Sequence, residues 1–371
     1  MVVSGTNGGA FCKDFGSVVL SELTDQISVH YTLSLPNGSS KAFSEFYSPD
    51  NEGVVSINDL GDLAYAYFES LPIELADAQF IYNTILLEAS ITDSLDNQLG
   101  SFSQKFFYAN CRTSIAAPYT YLGFLSRYHR RKIGVNQAHF IGFIRNGQQL
   151  YLGVSYKSHG KQDWKEFFVD TPIKGEFYYR NMDVPTVVNL LQTQVGLTVA
   201  VDDVLYYIIY LKADNNVVDA MQVDVDHNHY PQTTNFIYYN CFGIPDSMRF
   251  TGKDQRSTEM DATFVSVRKN YLKVNSKYNI YHEVNSGFIT EILRDCAEDL
   301  VNSEAVFLYQ GSEVGDRVTI TEVNFDESRP RTEPINVSVK YRLASECQRT
   351  IDRDMTVDYR IFDHTFGEEF E

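Results

Sequence analysis

The residues with the clearest metal-ligating spacing form one short run of carboxylates, an amide and histidines. Asp224, Asp226 and Asn228 match positions 1, 3 and 5 of a calcium-binding loop, whose ligands are oxygen atoms. The match then fails, because His229 stands where the loop needs glycine and Asn235 stands where it needs glutamate. On a strand the first three side chains would share one face. They are therefore weak metal candidates, and a polar strand end running into a loop is favoured.

One concentrated run of cationic side chains could bind an acidic partner. It contains Arg127, Arg130, Arg131 and Lys132. The run is short for a nucleic-acid site, and the chain carries 49 acidic against 31 basic residues, a formal net charge of −18. The same acidity argues against docking on an anionic membrane. We expect the run to contact an acidic surface of a neighbouring copy, with a solvated linker as the alternative.

The sequence lacks the motifs that mark common catalytic sites. It contains no GxSxG, Walker, GxGxxG or HExxH pattern. Asp295, Glu298 and Asp299 lie opposite the apolar stripe of a predicted helix, which favours a solvated face over acid–base work. Cys111 and Cys241 each follow an asparagine at the end of an aromatic strand, which favours packing over chemistry. The sequence therefore predicts no enzyme and no cofactor.

The composition indicates a globular chain of β structure with reduced thiols. With 371 residues it is long enough for two or three domains, and its 25 Tyr and 25 Phe favour pleated sheets. The 5 cysteines are an odd, widely spaced set without a CxxC motif, which argues against a disulfide framework or a zinc site. The beginning of the chain does not resemble a signal peptide, and no run of about 18 apolar residues predicts a membrane span.

Hairpins and three helices are expected to position these residues. Asn37-Gly38 and Asn146-Gly147 both predict tight turns between paired strands. Apolar residues at helical spacing predict helices over residues 58–70, after Asp183 and over residues 286–302, with Ser286 as the cap of the last. The sequence thus predicts a mainly β, β-rich α+β fold of tandem β-sandwich-like units, each with one short helix.

Two aromatic motifs suggest that the first two units are related. Glu45-Phe46-Tyr47 recurs about 130 residues later as Glu176-Phe177-Tyr178, and Phe106–Cys111 recurs as Phe236–Cys241. We therefore predict unit 1 at 1–118, unit 2 at 119–248 as a repeat of unit 1, and unit 3 at 249–350. Residues 351–371 would form an acidic, aromatic C-terminal arm. Its interface candidates are Tyr359, Phe362 and Phe366.

The last 140 or so residues resemble a known group of viral proteins. An aromatic strand followed by Asn240-Cys241-Phe242-Gly243 and a turn to Thr251-Gly252 is similar to a pattern in uncharacterised proteins of Bacteroidetes phages and prophages. A later block, Asn285-Ser286-Gly287-Phe288 with its helix and the strand Glu304–Tyr309, extends the resemblance. The resemblance implies a virion-associated, tail-located protein without enzymatic activity.

Together these patterns predict a structural component of a bacteriophage-like virion, in the tail, baseplate or hub. It would be made in the cytoplasm of the host bacterium and would assemble with itself, as a symmetric oligomer or ring, and with other virion proteins. The alternative is a carbohydrate-binding β-sandwich module of a receptor-binding protein, with a glycan partner and calcium near Asp224 and Asp226. Neither interpretation includes a nucleic-acid or membrane partner.

Overall fold

The fold is mainly β, as the sequence predicts. The structure is a computed structural model, and it describes residues 1–6, 8–68, 79–81, 84–113, 115, 118–145, 150–158, 161–170, 176–196, 198–213, 216–267, 270–310, 313–325 and 335–344. These residues form five sheets and three α-helices. No helix in this described part is long and apolar enough to span a bilayer.

The first unit packs a five-stranded sheet against a three-stranded one. The large sheet has the order β2-β9-β8-β4-β5 and the small sheet the order β1-β3-β6. Their strands are β1 Val2–Ser4, β2 Gly9–Phe11, β3 Val18–Ser21, β4 Ile27–Ser34, β5 Ser40–Tyr47, β6 Val55–Ile57, β8 Thr84–Asp93 and β9 Gln98–Phe107. A further strand of this part of the chain, β7 Gln79–Ile81, pairs elsewhere.

Alternating side chains explain why these strands pack face to face. Along β4, Val29, Tyr31 and Leu33 are buried, while His30 and Ser34 between and after them are exposed. The buried set meets Val18 of β3 across a shared core. Between β4 and β5 the chain turns at Asn37-Gly38, where Gly38 has φ +79°. The predicted hairpin is therefore present. The second predicted Asn-Gly turn lies outside the described residues.

The large sheet of the second unit repeats the strand order of the first large sheet, whereas the small sheets differ. Its large sheet has the order β10-β16-β15-β12-β13, and its small sheet has the order β11-β14-β7. The strands are β10 Arg130–Gly134, β11 Phe140–Arg145, β12 Leu150–Ser158, β13 Lys161–Asp170, β14 Glu176–Asn181, β15 Val204–Ala213 and β16 Asn216–Asp226. In each large sheet, the strand that comes first in the chain pairs in parallel with the strand that comes last: β2 with β9, and β10 with β16. The other strand pairs are antiparallel.

The motifs that suggested a repeat do not lie at equivalent places in this topology. Glu45-Phe46-Tyr47 ends β5, whereas Glu176-Phe177-Tyr178 begins β14, whose counterpart is β6. Likewise Phe106–Cys111 ends β9, but Phe236–Cys241 belongs to the third unit. These two motif pairs therefore do not mark equivalent strands, although the two large sheets have the same strand order.

The third unit is one seven-stranded antiparallel sheet with a helix on one face, so it is not a sandwich. The order is β18-β17-β21-β22-β23-β20-β19. The strands are β17 Thr234–Tyr239, β18 Pro245–Phe250, β19 Asp254–Val267, β20 Asn270–Asn285, β21 Val306–Gln310, β22 Glu313–Phe325 and β23 Val337–Leu343. Because β17 and β18 belong to this sheet, the sheet takes in residues on both sides of position 249.

Of the three helices, the first is shorter than predicted, the second begins where it was predicted and the third begins later. The first, α1, spans Leu60–Tyr65, and the second, α2, spans Val184–Val195 behind the predicted Asp183 cap. The third, α3, spans Glu291–Asn302 and begins after Thr290. The prediction of 286–302 was wrong at its start, because Ser286 joins β23 instead: the Ser286 hydroxyl accepts the Val337 N–H at 2.9 Å.

A shared hydrophobic cluster joins all three units. Phe11 and Phe107 come from unit 1, Phe140 and Tyr179 from unit 2, and Phe242 lies between the first two strands of unit 3. Strand β7 adds a second link, since it pairs with β14 of unit 2. These contacts make the junction of the units a packed interior, and the charged residues described next surround it.

Candidate functional site at the junction of the three units

The predicted basic run lies at this junction and is paired within the chain. Its four cations each meet a carboxylate from a distant part of the sequence: Arg127 with Asp299 at 2.9 Å, Arg130 with Asp224 at 2.8 Å, Arg131 with Asp246 at 2.6 Å and Lys132 with Asp226 at 3.1 Å. Arg127 and Arg131 therefore tie unit 2 to unit 3, whereas the other two cations pair with β16 inside unit 2.

Arg131 is the most buried member of the run. Its side chain is 2% exposed, and its guanidinium donates to the Asp246 carboxylate, the Tyr128 hydroxyl and the Ser247 carbonyl. The Tyr128 hydroxyl also donates to Asp246 at 3.0 Å. Burial raises the pKa of Tyr128 well above its ordinary value, so its proton stays available to the carboxylate. Strand β10 thus places Arg131 inside the molecule, and Arg131 is not open to a partner.

Asp226 is a second ionic centre, at the end of β16. Lys132 lies 3.1 Å and Arg249 2.5 Å from its carboxylate, and the Tyr230 hydroxyl donates to it at 3.0 Å. Burial raises the pKa of Asp226, but the hydrogen bonds from Lys132, from the Asn228 N–H and from Tyr230 outweigh it and leave the pKa below the usual value. Asp226 is therefore a carboxylate that already holds two cations.

The weak calcium candidates are engaged in other contacts. Asp224 accepts from Arg130 and from Gln222, both at 2.8 Å, and the backbone N–H of Asn228 donates to Asp226 at 3.2 Å. In the residues that the structure describes, no group of three or more His, Cys, Asp or Glu could hold a metal ion. A cation at this strand end would have to displace protein cations.

Arg127 connects α3 to a pair of cysteines. Its guanidinium lies 2.9 Å from Asp299, 3.7 Å from Glu298 and 3.8 Å from the Cys111 sulfur. Asp299 is buried, so the expectation that it sits on a solvated helix face was wrong. Burial, partly offset by Arg127, raises the pKa of Asp299 to about 7.

The two cysteine thiols lie side by side at this point. A hydrogen bond from Cys241 lowers the pKa of Cys111 to about 6 against the opposing effect of burial, and Arg127 contributes to the lowering. The same contact and burial raise the pKa of Cys241. The backbone Asn110 N–H donates to the Cys241 carbonyl at 3.0 Å, which fixes the two segments together. Cys241 and Arg127 therefore favour the thiolate form of Cys111.

A polar cleft opens beside Asp226, between units 2 and 3. Its volume is about 560 Å³. It is lined by Gly134, Val135, Asn136, Gln137, Val201, Asp202, Asp226, His227, Asn228, His229, Tyr230, Thr233, Asn235 and Arg249. Asparagines, histidines and a tyrosine are the residue types that hydrogen-bond and stack on a sugar, so the cleft has the chemistry of a shallow glycan site.

The predicted interface residues divide into three groups. Arg131 is buried, whereas the side chains of Arg130 and Lys132 are 68% and 51% exposed and remain interface predictions with Arg127. Tyr359, Phe362 and Phe366 lie outside the described residues. Sequence reasoning missed Asp246 and Arg249, because each lies more than 100 positions from part of its ionic cluster and no local pattern marks it.

Comparison with known proteins identifies no relative by sequence. No protein-family model matches the chain, and no curated protein matches it. One similar solved structure is a crystal structure of a tetra-tandem repeat in the extending region of a large adhesion protein. The match covers 89% of this chain and 78% of that chain at 11% identity, with a TM-score of 0.17. A TM-score this low carries no argument about fold or function.

Proposed function

We propose that this chain is a non-enzymatic structural component of a bacteriophage-like virion, in the tail, baseplate or hub, that acts through protein–protein assembly. The observation that carries the proposal is the junction: three units share one hydrophobic cluster, and a buried Arg131–Asp246 pair joins two of them. A chain whose three units are fixed together in this way is suited to a structural protein that holds neighbouring subunits in fixed positions. The resemblance of the C-terminal part to phage proteins supports its place in a virion.

The charge arrangement supports a protein partner rather than nucleic acid or a membrane. The basic run, which was the concentrated cationic feature of the sequence, is neutralised by carboxylates of the same chain. The net charge of −18 repels phosphate backbones and anionic lipid. The partners we propose are further copies of this chain and other virion proteins, met after synthesis in the cytoplasm of the host bacterium.

The surroundings of Cys111 favour a structural over a catalytic role. The groups that act on its sulfur are Cys241, Arg127 and Asp14, and none of these is a histidine. Arg127 stays protonated and cannot pass a proton to a leaving group. Acyl transfer by a thiolate also needs a general acid that protonates the leaving group, and the groups around Cys111 do not supply one. We therefore propose no enzymatic activity and no cofactor.

A second candidate function is carbohydrate binding, which the polar cleft beside Asp226 favours. Tyr230, Asn228 and His229 line it together. This role suits a receptor-binding protein on the same kind of particle. It predicts that Tyr230→Ala abolishes retention on a glycan array, and a chain that binds no glycan on the array would exclude it.

The location in a virion is tested on particles from a lysate of the strain that encodes the chain. We expect peptides of this chain to co-sediment with particles in a density gradient at a fixed ratio to the major virion protein. An antibody against the chain should label one end of the particle in negative-stain images. A chain that stays in the soluble fraction while particles band normally would refute the proposal.

A further inference from the structure

The strands β19 and β20 form an arm that extends beyond the body of the third unit. β20 pairs with β23 only through His282–Asn285, whereas its remaining residues pair with β19 alone. At about 3.3 Å per residue, the stretch Asn270–Tyr281 extends roughly 40 Å. Lys340 of β23 anchors the base of the arm through Glu259 at 3.1 Å.

Neither face of this arm is covered in the part of the chain that the structure describes. Of the described side chains between Gln255 and His282, none is buried. A two-stranded hairpin with no packing partner is marginally stable in water, and three strands or a packed face are needed for independent stability. The arm therefore presents both faces and the outer edge of β19 to a partner.

One face of the arm combines apolar and cationic groups. Met260 and Phe264 lie on the same side of β19, and they are 57% and 56% exposed. Lys273 pairs with Phe264, and its ammonium lies 3.0 Å from the Met260 sulfur, which places it on that face. Tyr271, 79% exposed, pairs with Ser266 two residues after Phe264 and so shares the face. This surface fits an apolar, acidic partner.

The arm is basic although the chain is acidic. Between Ser257 and Tyr281 the sequence carries Arg268, Lys269, Lys273 and Lys277 against two carboxylates, Glu259 and Asp261, which is four positive charges and two negative. The whole chain has a net charge of −18. Opposite charges of this kind orient the approach of two molecules and disfavour wrong pairings. A second copy of this chain supplies the acidic surface that the arm requires.

A complementary surface is present elsewhere on the third unit. Phe288 is 79% and Ile292 46% exposed, and the exposed carboxylates Glu291 and Asp295 flank them. Ile292 and Asp295 are neighbours on α3 by helical spacing, as are Glu291 and Asp295. We call Phe288, Glu291, Ile292 and Asp295 the acceptor patch. It offers apolar contact and negative charge together, which matches the face of the arm.

We propose that the arm of one copy docks on the acceptor patch of a second copy of this chain. The two surfaces differ, so the contact is head-to-tail, and a pair of docked copies still has one free patch, on the first copy, and one free arm, on the second. Repetition of such a contact builds a closed ring or an open filament. This inference deepens the proposed assembly function, and it rests on that function only for its place in a particle.

Variants at the two surfaces test the contact in the full-length chain. Phe264→Ser on the arm and Phe288→Ser on the patch should each weaken self-association about tenfold or more, as truncation of an aromatic anchor does at other interfaces. The measurement is molar mass by light scattering after size exclusion, over a range of concentrations at low and high salt. Phe46→Ser, at an equally exposed residue of unit 1, is the matched control and should leave the mass unchanged.

A charge exchange separates docking from loss of fold. Lys273→Glu and Glu291→Lys should each reduce association, and the chain that carries both should recover it, because each altered arm then meets an altered patch. Circular dichroism on each variant should match the parent chain. Failure of the double variant to recover, with every variant folded, would overturn the assignment of these two surfaces.

Mixing the two serine variants gives the sharpest outcome. The Phe264→Ser chain keeps its patch and the Phe288→Ser chain keeps its arm, so the mixture should form a two-chain complex and nothing larger. A parent chain that stays monomeric at all concentrations would overturn self-docking, yet the same chain found in purified particles would leave the virion function standing. A parent chain that stays monomeric and is also absent from purified particles would reject both proposals.

Discussion

Arg131 illustrates how the junction depends on single charged side chains. Its guanidinium is enclosed, and its partners are Tyr128, three residues earlier in the chain, and Asp246 and Ser247 of β18. A buried ion pair adds little stability over an apolar pair, but removal of one partner leaves a charge without compensation. Arg131 therefore contributes mainly to the alignment of units 2 and 3. Its guanidinium reaches the Asp246 carboxylate only when β10 and β18 are correctly placed relative to each other.

Arg131→Met should destabilise the chain by about 3–5 kcal/mol, because it leaves Asp246 buried without its cation. Arg130→Met on the same strand removes an exposed partner of Asp224 and should change the unfolding midpoint little. Urea denaturation followed by circular dichroism compares the two variants. Equal midpoints for both would show that Arg131 is not held as described.

The thiol of Cys111 should ionise near pH 6 rather than near its ordinary value of about 8.5. The rate of alkylation by iodoacetamide, followed by mass spectrometry of the Cys111 peptide, should rise with a midpoint near that pH. Cys241→Ser and Arg127→Gln should each move the midpoint upward, since each removes a group that favours the thiolate. A midpoint near 8.5 in the parent chain would contradict the geometry of this pair.

At the scale of secondary-structure elements, local patterns predicted the elements better than their ends. The Asp183 cap was correct because cap, proline and apolar spacing are all local signals, and the Asp183 side chain accepts the Thr186 N–H at 2.9 Å. The start of α3 was wrong because Ser286 is recruited by β23, about 50 residues further along, and no local pattern reports that contact. The ionic partners of the basic run were hidden for the same reason.

Asp183→Ala should destabilise the chain by more than the about 1 kcal/mol that the loss of a helix cap usually costs. The Asn181 amide that donates to the same carboxylate at 3.0 Å would also lose its partner, so the loss should exceed that of a simple cap. Asp203→Ala, an exposed carboxylate nearby, controls for the change in charge. Thermal unfolding of both variants is the measurement, and equal melting temperatures would contradict the cap.

At the scale of the whole molecule, the shared cluster should make the three units unfold together. Phe107→Ala, at a fully buried residue of unit 1, should cost about 3–5 kcal/mol. The single tryptophan, Trp164, reports unit 2 by fluorescence, and the buried thiol of Cys12 reports unit 1 by its reactivity. Both midpoints should fall together. A Trp164 transition that does not move would show independent units, and Phe46→Ala is the exposed control.

The equal strand order of the large sheets in units 1 and 2 also belongs to this scale, and the sequence did not reveal it. The aromatic motifs that recur about 130 residues apart fall on different elements, so the likeness in strand order exists without those motifs. Topology depends on which strands pair, and pairing partners are distant in the chain. The likeness of the two large sheets therefore lies in which strands pair, and the recurring aromatic motifs do not mark it.

The central claim, a structural role in a virion, is tested most directly by counting copies of this chain in purified particles. Isotope-labelled reference peptides from units 1 and 3, measured by mass spectrometry, would give the number per particle relative to the major virion protein. We predict a reproducible whole number, as a ring of defined symmetry requires. A chain that is absent, or present in variable trace amounts, would contradict the account.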